Sequence, residues 1–369
     1  SRGNAGQIAP GHPPIASPSL PPQALHLILD RRSPLYIPPR PSLGLAWWLW
    51  RFRKACSPST YELSMRLLAH LSRLSRDQEE AMHPPLPTES RPRPCGIADL
   101  WRTHEGEAAA AEETEWMTQL GFQTRTLSGH ELRSEDPAWG EDVLGATMHL
   151  DGMVVDPARY CDALRAAIQS SGGMLRRTSA IQSLHRVNTH WMARNASGET
   201  WQAPRVVLAA GVWSSPLARM LGHRIRMQPA KGYHLLMDSS PRPHIAGVLR
   251  ESKVAITPMH QGVRVAGTLE CSGFNHRLDQ ERLEQIRQGA QDFIPRIKDL
   301  DSHQPWCGLR PCTASGLPTI GLCSNAPDAW IATGHGMMGL TLASGTAQLI
   351  ALSVRGDAMP EWARGFSPA

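Results

Sequence analysis

The chain has 369 residues, 41% of them apolar and 19% charged, with a formal charge of +5. That length allows two domains with a sizeable core, and the composition excludes a disordered chain. The basic excess is small and no long Lys/Arg run is present, which argues against a nucleic-acid partner, and no apolar stretch is long enough to span a membrane as a helix.

In chain order, residues 1–42 are rich in Pro, Gly and Ser and read as irregular backbone laid on a larger body. The run Leu43 to Phe52, LGLAWWLWRF, reads as a helix packed on the core or as a lid, with an interfacial helix as the alternative. Apolar positions three and four apart predict helix over 45–82, and HPPLPTESRPRP is a Pro-rich connection. GIADLW predicts a short strand and EAAAAEETEWMTQLGF a helix ending near Gly121. From Gly145 the pattern predicts an extended piece, a turn at Asp151-Gly152, and a helix capped by Asp156, opened by Pro157 and ended by Gly172-Gly173. Two alternating segments surround Ile181 and Trp191, and RVVLAAG predicts a strand buried on both faces. KGYHLLMD, VAITPM and VRVAGTLE predict an antiparallel sheet, followed by a helix from about Gln280 to Ile294. The chain closes with strand DAWIATG, a glycine loop and helix LTLASGTAQLIALSV.

Two motifs bear on chemistry. The seven cysteines are odd in number and lack C-x-x-C spacing, so neither a disulfide framework nor a zinc or other metal site is expected. Gly334, Gly336 and Gly339 spell G-x-G-x-x-G between a predicted strand and a predicted helix, where free N–H groups favour a ligand's negative charge. A complete dinucleotide fingerprint also needs a second strand closed by an acidic residue. Asp357 lies at the right distance, but DAMPEWARG has no buried-strand pattern. A helix start aimed at an electron-rich cofactor is therefore expected, with a tightly packed loop holding no ligand as the alternative.

Five segments then stand in one order: Asn4-Ala5-Gly6-Gln7-Ile8, VVLAAGVWSSPLARMLG from Val206, Pro229-Ala230-Lys231-Gly232-Tyr233, GLRPCTASGLPTIG from Gly308, and TGHGMMGLTLASG from Thr333. Together they resemble the D-amino acid oxidase (DAO) family of FAD-dependent enzymes, most nearly its bacterial D-amino acid dehydrogenases and their D-proline or D-hydroxyproline relatives. The resemblance is strong over 145–350 and weak over 40–140. It implies an α/β fold in which a Rossmann-like FAD-binding domain (1–15, 146–222 and 301–369) is interleaved with an α+β, antiparallel-sheet substrate-binding domain (16–145 and 223–300). In that family a strand, a glycine-rich turn and a helix that carry the FAD pyrophosphate precede the segment matching Ser1. The resemblance therefore implies that roughly 30 residues of a βαβ unit are missing and that flavin is held weakly.

The same resemblance assigns roles. Arg310, in Gly308-Leu309-Arg310-Pro311, matches the arginine that binds the substrate carboxylate, and a planar guanidinium suits that task. Read alone, it is equally a structural arginine. Asn4, Ala5, Gly6 and Gln7 match the segment beside the flavin ring, and Ala209, Ala210, Gly211 and Trp213 the stretch along the diphosphate and ribitol. Gly308 and the loop Gly334, Gly336, Met337, Met338, Gly339, Leu340 and Thr341 complete the expected FAD contacts. His335 is expected at the flavin, with a packing role as the alternative, and Tyr233, with His234 and Met259, on the substrate floor. Ser315 departs from the family's usual Asp and is expected to support its turn through local backbone bonds. The implied reaction is oxidation of a D-amino acid, as a primary or secondary amine beside a carboxylate, by hydride transfer to FAD. Glycine, sarcosine or a hydroxy acid as substrate, and a non-catalytic remnant or a subunit completed by a partner, remain open. The acceptor is a quinone or O2. A cytoplasmic location is expected, with peripheral contact at the inner membrane and a homo- or hetero-oligomer left open.

Overall fold

The strand-rich middle of the chain folds as its alternation predicts. The computed structural model describes residues 2–20, 30–38, 42–82, 86–300 and 303–368, without the side chains of residues 80 and 82. Among them, ten strands form one large sheet. Its main path runs Lys298–Asp299, Met227–Asp238, Gly262–Glu270, Val254–Met259, Gly247–Leu249, Ile97–Trp101, Gly145–His149, Thr124–Ser128. Trp306–Thr313 lies antiparallel along Met227–Asp238, and Leu35–Tyr36 joins the end of Gly262–Glu270 in parallel. The expected domain borders at 145/146 and 300/301 therefore run through this sheet, because Gly145–His149 and Trp306–Thr313 are both strands of it.

The strand Met227–Asp238 has two phases. Tyr233, Leu235 and Met237 point into a core shared with Leu283, Ile286, Phe293 and Leu132. Gly232, His234 and Leu236 line the opposite face. The helix Gln280–Gln291 covers the core face, with Asp279 capping it at the Glu281 and Arg282 amides.

A second, smaller sheet holds Val206–Leu208 parallel to Ala329–Thr333, which pairs antiparallel with Thr319–Leu322. RVVLAAG thus does form a strand, but not one buried on both faces. Among the described residues it has a single neighbour, and Val207 is 44% exposed. Leu208 and Ile331 instead pack on one side, against Ala218, Leu221 and Trp191.

The helix expected over 45–82 is two, Leu43–Ala55 and Pro58–Met82. Pro58 lacks an N–H, which is tolerated in a first helical turn and not inside a helix. Leu45, Trp48 and Phe52 of the first helix are buried, whereas Leu43 is 92% and Trp50 51% exposed. The second packs on Ala343–Arg355 through Leu67, Leu68, Leu71, Leu342 and Leu349. Asp156 caps Pro157–Ser170 by accepting from the Ala158 and Arg159 amides, as expected. A short helix, Gly129–Glu135, with a Ser128/Glu131 capping box, has no counterpart in the sequence reading.

Candidate active site

The site begins with one facing pair of residues that carry no side chains. Gly232 faces Gly308 across Met227–Asp238 and Trp306–Thr313, with Ala230 facing Arg310 on one side and His234 facing Trp306 on the other. Directly opposed residues share a sheet face, so Arg310, Trp306 and His234 lie together. A Cβ on Gly232 would stand 1.7 Å from Arg310 Nη1, and one on Gly308 would stand 2.1 Å from the Trp306 ring. The guanidinium and the indole thus lean toward each other over a floor that only glycine leaves free.

Arg310 donates from Nη1 to the Thr268 carbonyl at 2.9 Å. Burial lowers its pKa from the ordinary value, and only Cys312, not a carboxylate, offsets this. His234 donates from Nδ1 to the Gly3 carbonyl at 2.9 Å and stacks on Trp306 at 5.1 Å. Burial first, and the charge of Arg264 second, push His234 down to about 4, so the ring is neutral near pH 7.

Residues 3–9 cross this face, pair with Met153–Val154 and tie the large sheet to the loop at Thr341. Asn4 Oδ1 accepts from the Gly6 amide at 2.8 Å, and the Asn4 carbonyl accepts from Arg264 Nη1 at 2.8 Å. Ala5 is half-buried between them. Gly6 has φ of +89°, and a Cβ there would stand 2.7 Å from Met259 Cε. Gln7 Nε2 donates to the Gly247 and Ile256 carbonyls, and the Ala9 amide donates to Thr341 Oγ1.

A second group forms at the carboxyl ends of the parallel strands Val206–Leu208 and Ala329–Thr333, where open α/β sheets bind ligands. Ala209, Ala210 and Gly211 turn there, with the Ala210 amide on Ser214 Oγ at 3.0 Å. Thr333 Oγ1 ties the two ends by donating to the Gly211 carbonyl at 2.8 Å. Trp213 is 51% exposed and tilts against Phe274. Gly334 has φ of +83° and backs onto Thr313, while Gly336 has φ of +54° and donates to the Pro311 carbonyl. A Cβ on Gly211 would meet nothing within 4 Å, one on Gly336 only Cys312 Sγ at 4.0 Å, and one on Gly339 only His335 at 3.8 Å. The open space beside these glycines at the strand ends fits the backbone approach that a dinucleotide needs.

The rest of the glycine loop is divided. Met337 is 39% exposed, Met338 packs in the helix interface with Leu342, and Leu340 packs against the Ile8, Met153 and Tyr160 cluster. The helix itself starts at Ala343, and 361–366 form a 3-10 turn rather than a second strand. His335 shares a 2.9 Å bond between Nε2 and Thr346 Oγ1, and burial pushes it to about 4. Ser315 accepts from the Leu317 amide, the local bond expected of it.

Tyr233 is not brought to Arg310. It is 1% exposed, lies in the opposite phase of its strand, and donates to Glu270 Oε2 at 2.6 Å. Burial and that carboxylate raise its pKa. Glu270 also pairs with Lys231, whose ammonium holds Asn275 and the Arg277 carbonyl. The tyrosine thus belongs to a buried polar network behind the site. Two further residues of this sheet face escaped the sequence reading. Trp306 was legible, since W-x-G-x-R puts 306, 308 and 310 on one strand face. Arg264 was legible as a lone charge in the apolar strand VRVAG.

The comparisons agree with this architecture. The family model "FAD dependent oxidoreductase" (DAO) matches residues 1–352. A D-amino acid dehydrogenase of Xylella fastidiosa is 31% identical over 363 residues, 95% of this chain and 82% of that protein. One of Methylobacterium radiotolerans is 32% identical over 364 residues, 96% of this chain and 86% of that protein. Glycine oxidase from Bacillus cereus shares the fold at a TM-score of 0.71 and 20% identity, over 79% of this chain and 82% of that one. A chain matched along nearly its whole length, with its glycine turns at the ends of parallel strands, belongs to the DAO family of FAD-dependent oxidoreductases.

Proposed function

We propose that the protein oxidises a D-amino acid, held by its carboxylate on Arg310. The observation that carries this reading is a guanidinium taken out of water, laid over Gly232, with one backbone acceptor and no acidic partner among the described residues. Such a group is costly unless an anion completes it, and a carboxylate does so through two parallel hydrogen bonds. FAD, when bound, supplies the two-electron acceptor. Arg310 fixes one end of the substrate, Gly232 and Gly308 make room for the Arg310 guanidinium and the Trp306 ring on the sheet, and Trp306 forms a wall beside the bound substrate. The segment Asn4 to Gln7 and the turns at Gly211 and Gly336 supply the small-residue surfaces for the cofactor. Neutral His234 donates to Gly3 and so holds that segment. Loss of hydride from the α-carbon and a proton from nitrogen leaves an imine, which water hydrolyses.

Replacement of Arg310 tests the carboxylate role. Losing a charge-assisted bidentate contact in a desolvated site costs about 2–5 kcal/mol, so Arg310→Gln is expected to lower kcat/KM by roughly 30-fold to several thousand-fold. Arg310→Lys should recover only part, since an ammonium is a point charge. A folded, flavin-loaded Arg310→Gln enzyme with unchanged kcat/KM would refute the assignment.

The reading extends to the electron acceptor. The helix Leu43–Ala55 carries no acidic residue, exposes Leu43 and Trp50, and bears Arg51, Arg53 and Lys54, with Arg226 stacked on Trp47 at 4.1 Å. Exposed aromatic and aliphatic groups set among cations suit the interface of an anionic bilayer. This supports peripheral docking on such a surface, where a quinone would accept the electrons.

A further inference from the structure

Arg310 is not the only uncompensated cation on the site face. Arg264 stands opposite Leu236 on one neighbouring strand and opposite Thr257 on the other, so it shares the face of His234 and Arg310. Its Nη1 donates to the Asn4 carbonyl, while its Nε is buried without a hydrogen-bond partner. The Thr257 hydroxyl, on a residue 0% exposed, is likewise buried and unpartnered. Native proteins leave few such atoms, and each costs about 1–3 kcal/mol. Two of them on directly opposed residues mark one spot on the sheet.

The charges do not balance either. Burial lowers the pKa of Arg264, with the charge of Asp156 as the opposing influence, and among the described residues neither Arg264 nor Arg310 forms an ion pair. His234, between them, is neutral and adds no charge of its own. The site therefore presents two cations, and an amino acid with a single carboxylate neutralises one.

The spacing suits a second anion. The Arg310 head lies over Gly232, and Arg264 reaches Asn4, next to the Gly3 carbonyl that His234 holds. Arg264 stands at the level of Leu236, four residues along the strand from Gly232, so the two cations occupy separate positions along one face. We propose that Arg264, with the Thr257 hydroxyl, forms a second carboxylate subsite, so that the enzyme selects amino dicarboxylates. This rests on Arg310 holding the α-carboxylate. Selectivity follows because a methyl in that position would leave the buried polar groups unpaired, and an amide, whose carbonyl can accept from them, would leave the Arg264 charge without a counter-ion.

The test compares D-glutamate with D-glutamine and D-aspartate with D-asparagine, pairs that differ in charge and little in shape. The acid is expected to exceed the amide at least tenfold in kcat/KM in one pair or both. Arg264→Gln should bring that ratio toward one, Arg264→Lys should keep part of it, and Thr257→Val, which removes only a hydroxyl, should lower it several-fold. Equal or better turnover of both amides by the unaltered enzyme would overturn the subsite while leaving the role of Arg310 standing. So would an unchanged acid-to-amide ratio in folded Arg264→Gln. Should Arg264→Gln fail to fold, protection of the unaltered protein against thermal unfolding decides instead. Glutarate should raise the midpoint more than butyrate, and equal effects would overturn the subsite. If no amino acid is oxidised, the activity reading fails, and glutarate protection lost in Thr257→Val would still support the subsite.

Discussion

Arg310 and Tyr233 stand on paired strands of one sheet and point to opposite faces. Arg310 was readable through the resemblance of Gly308-Leu309-Arg310-Pro311 to a family segment, since a lone arginine in a strand is otherwise a structural residue. The phase of Tyr233 was not, because a shift of one residue exchanges the faces of a strand and nothing local fixes it. Partner strands fix it here: Tyr233 opposes Cys307 and Gly267, and its hydroxyl finds Glu270. This placement predicts that Tyr233→Phe destabilises the protein by about 1–2 kcal/mol in denaturant unfolding, since Glu270 loses a donor and keeps Lys231. KM and kcat should change less than threefold. A hundredfold loss of kcat at unchanged stability would return the tyrosine to the reaction.

At the scale of elements, periodicity located nearly every long helix and strand, and tertiary packing decided what periodicity could not. RVVLAAG has the composition of a doubly covered strand, yet Val207 has nothing packed over it. The glycine loop was found, but its helix begins at Ala343, beyond the last residue assigned to it. Gly345 packs directly on Pro58–Met82, where a Cβ would stand 2.7 Å from Ser75 Oγ and 2.9 Å from the Leu71 carbonyl. In an exposed helix, Gly→Ala stabilises by about 1 kcal/mol. Here the sign reverses: Gly345→Ala is expected to destabilise by about 1–3 kcal/mol through overpacking, measured by thermal or denaturant unfolding. A stabilising effect would mean that the two helices are not held this closely.

At the scale of the whole molecule, the order of five short motifs carried more than any one of them, and it fixed the family. Strand register was not legible, because it depends on pairings between residues far apart in sequence, such as Ala230 with Arg310. Membrane docking also belongs to this scale. If the Leu43–Ala55 helix meets an anionic bilayer, the protein should sediment with phosphatidylglycerol vesicles and not with neutral ones. Trp50→Glu or Lys54→Glu should weaken that binding at least fivefold without altering the fold, and added salt should weaken it as well. Equal binding to neutral vesicles, or none to either, would remove this surface from the account.

The central claim is that an amino acid held on Arg310 reduces the flavin. It is tested most directly by mixing the flavin-loaded protein anaerobically with D-alanine, D-proline, D-glutamate, glycine and the L-forms, while recording the visible absorption. The account predicts that at least one D-amino acid bleaches the flavin band, that its L-form does not, and that Arg310→Gln slows the bleaching at subsaturating substrate by roughly 30-fold or more. A flavin band left unchanged by every D-amino acid, or bleached equally fast with Gln at position 310, would contradict it.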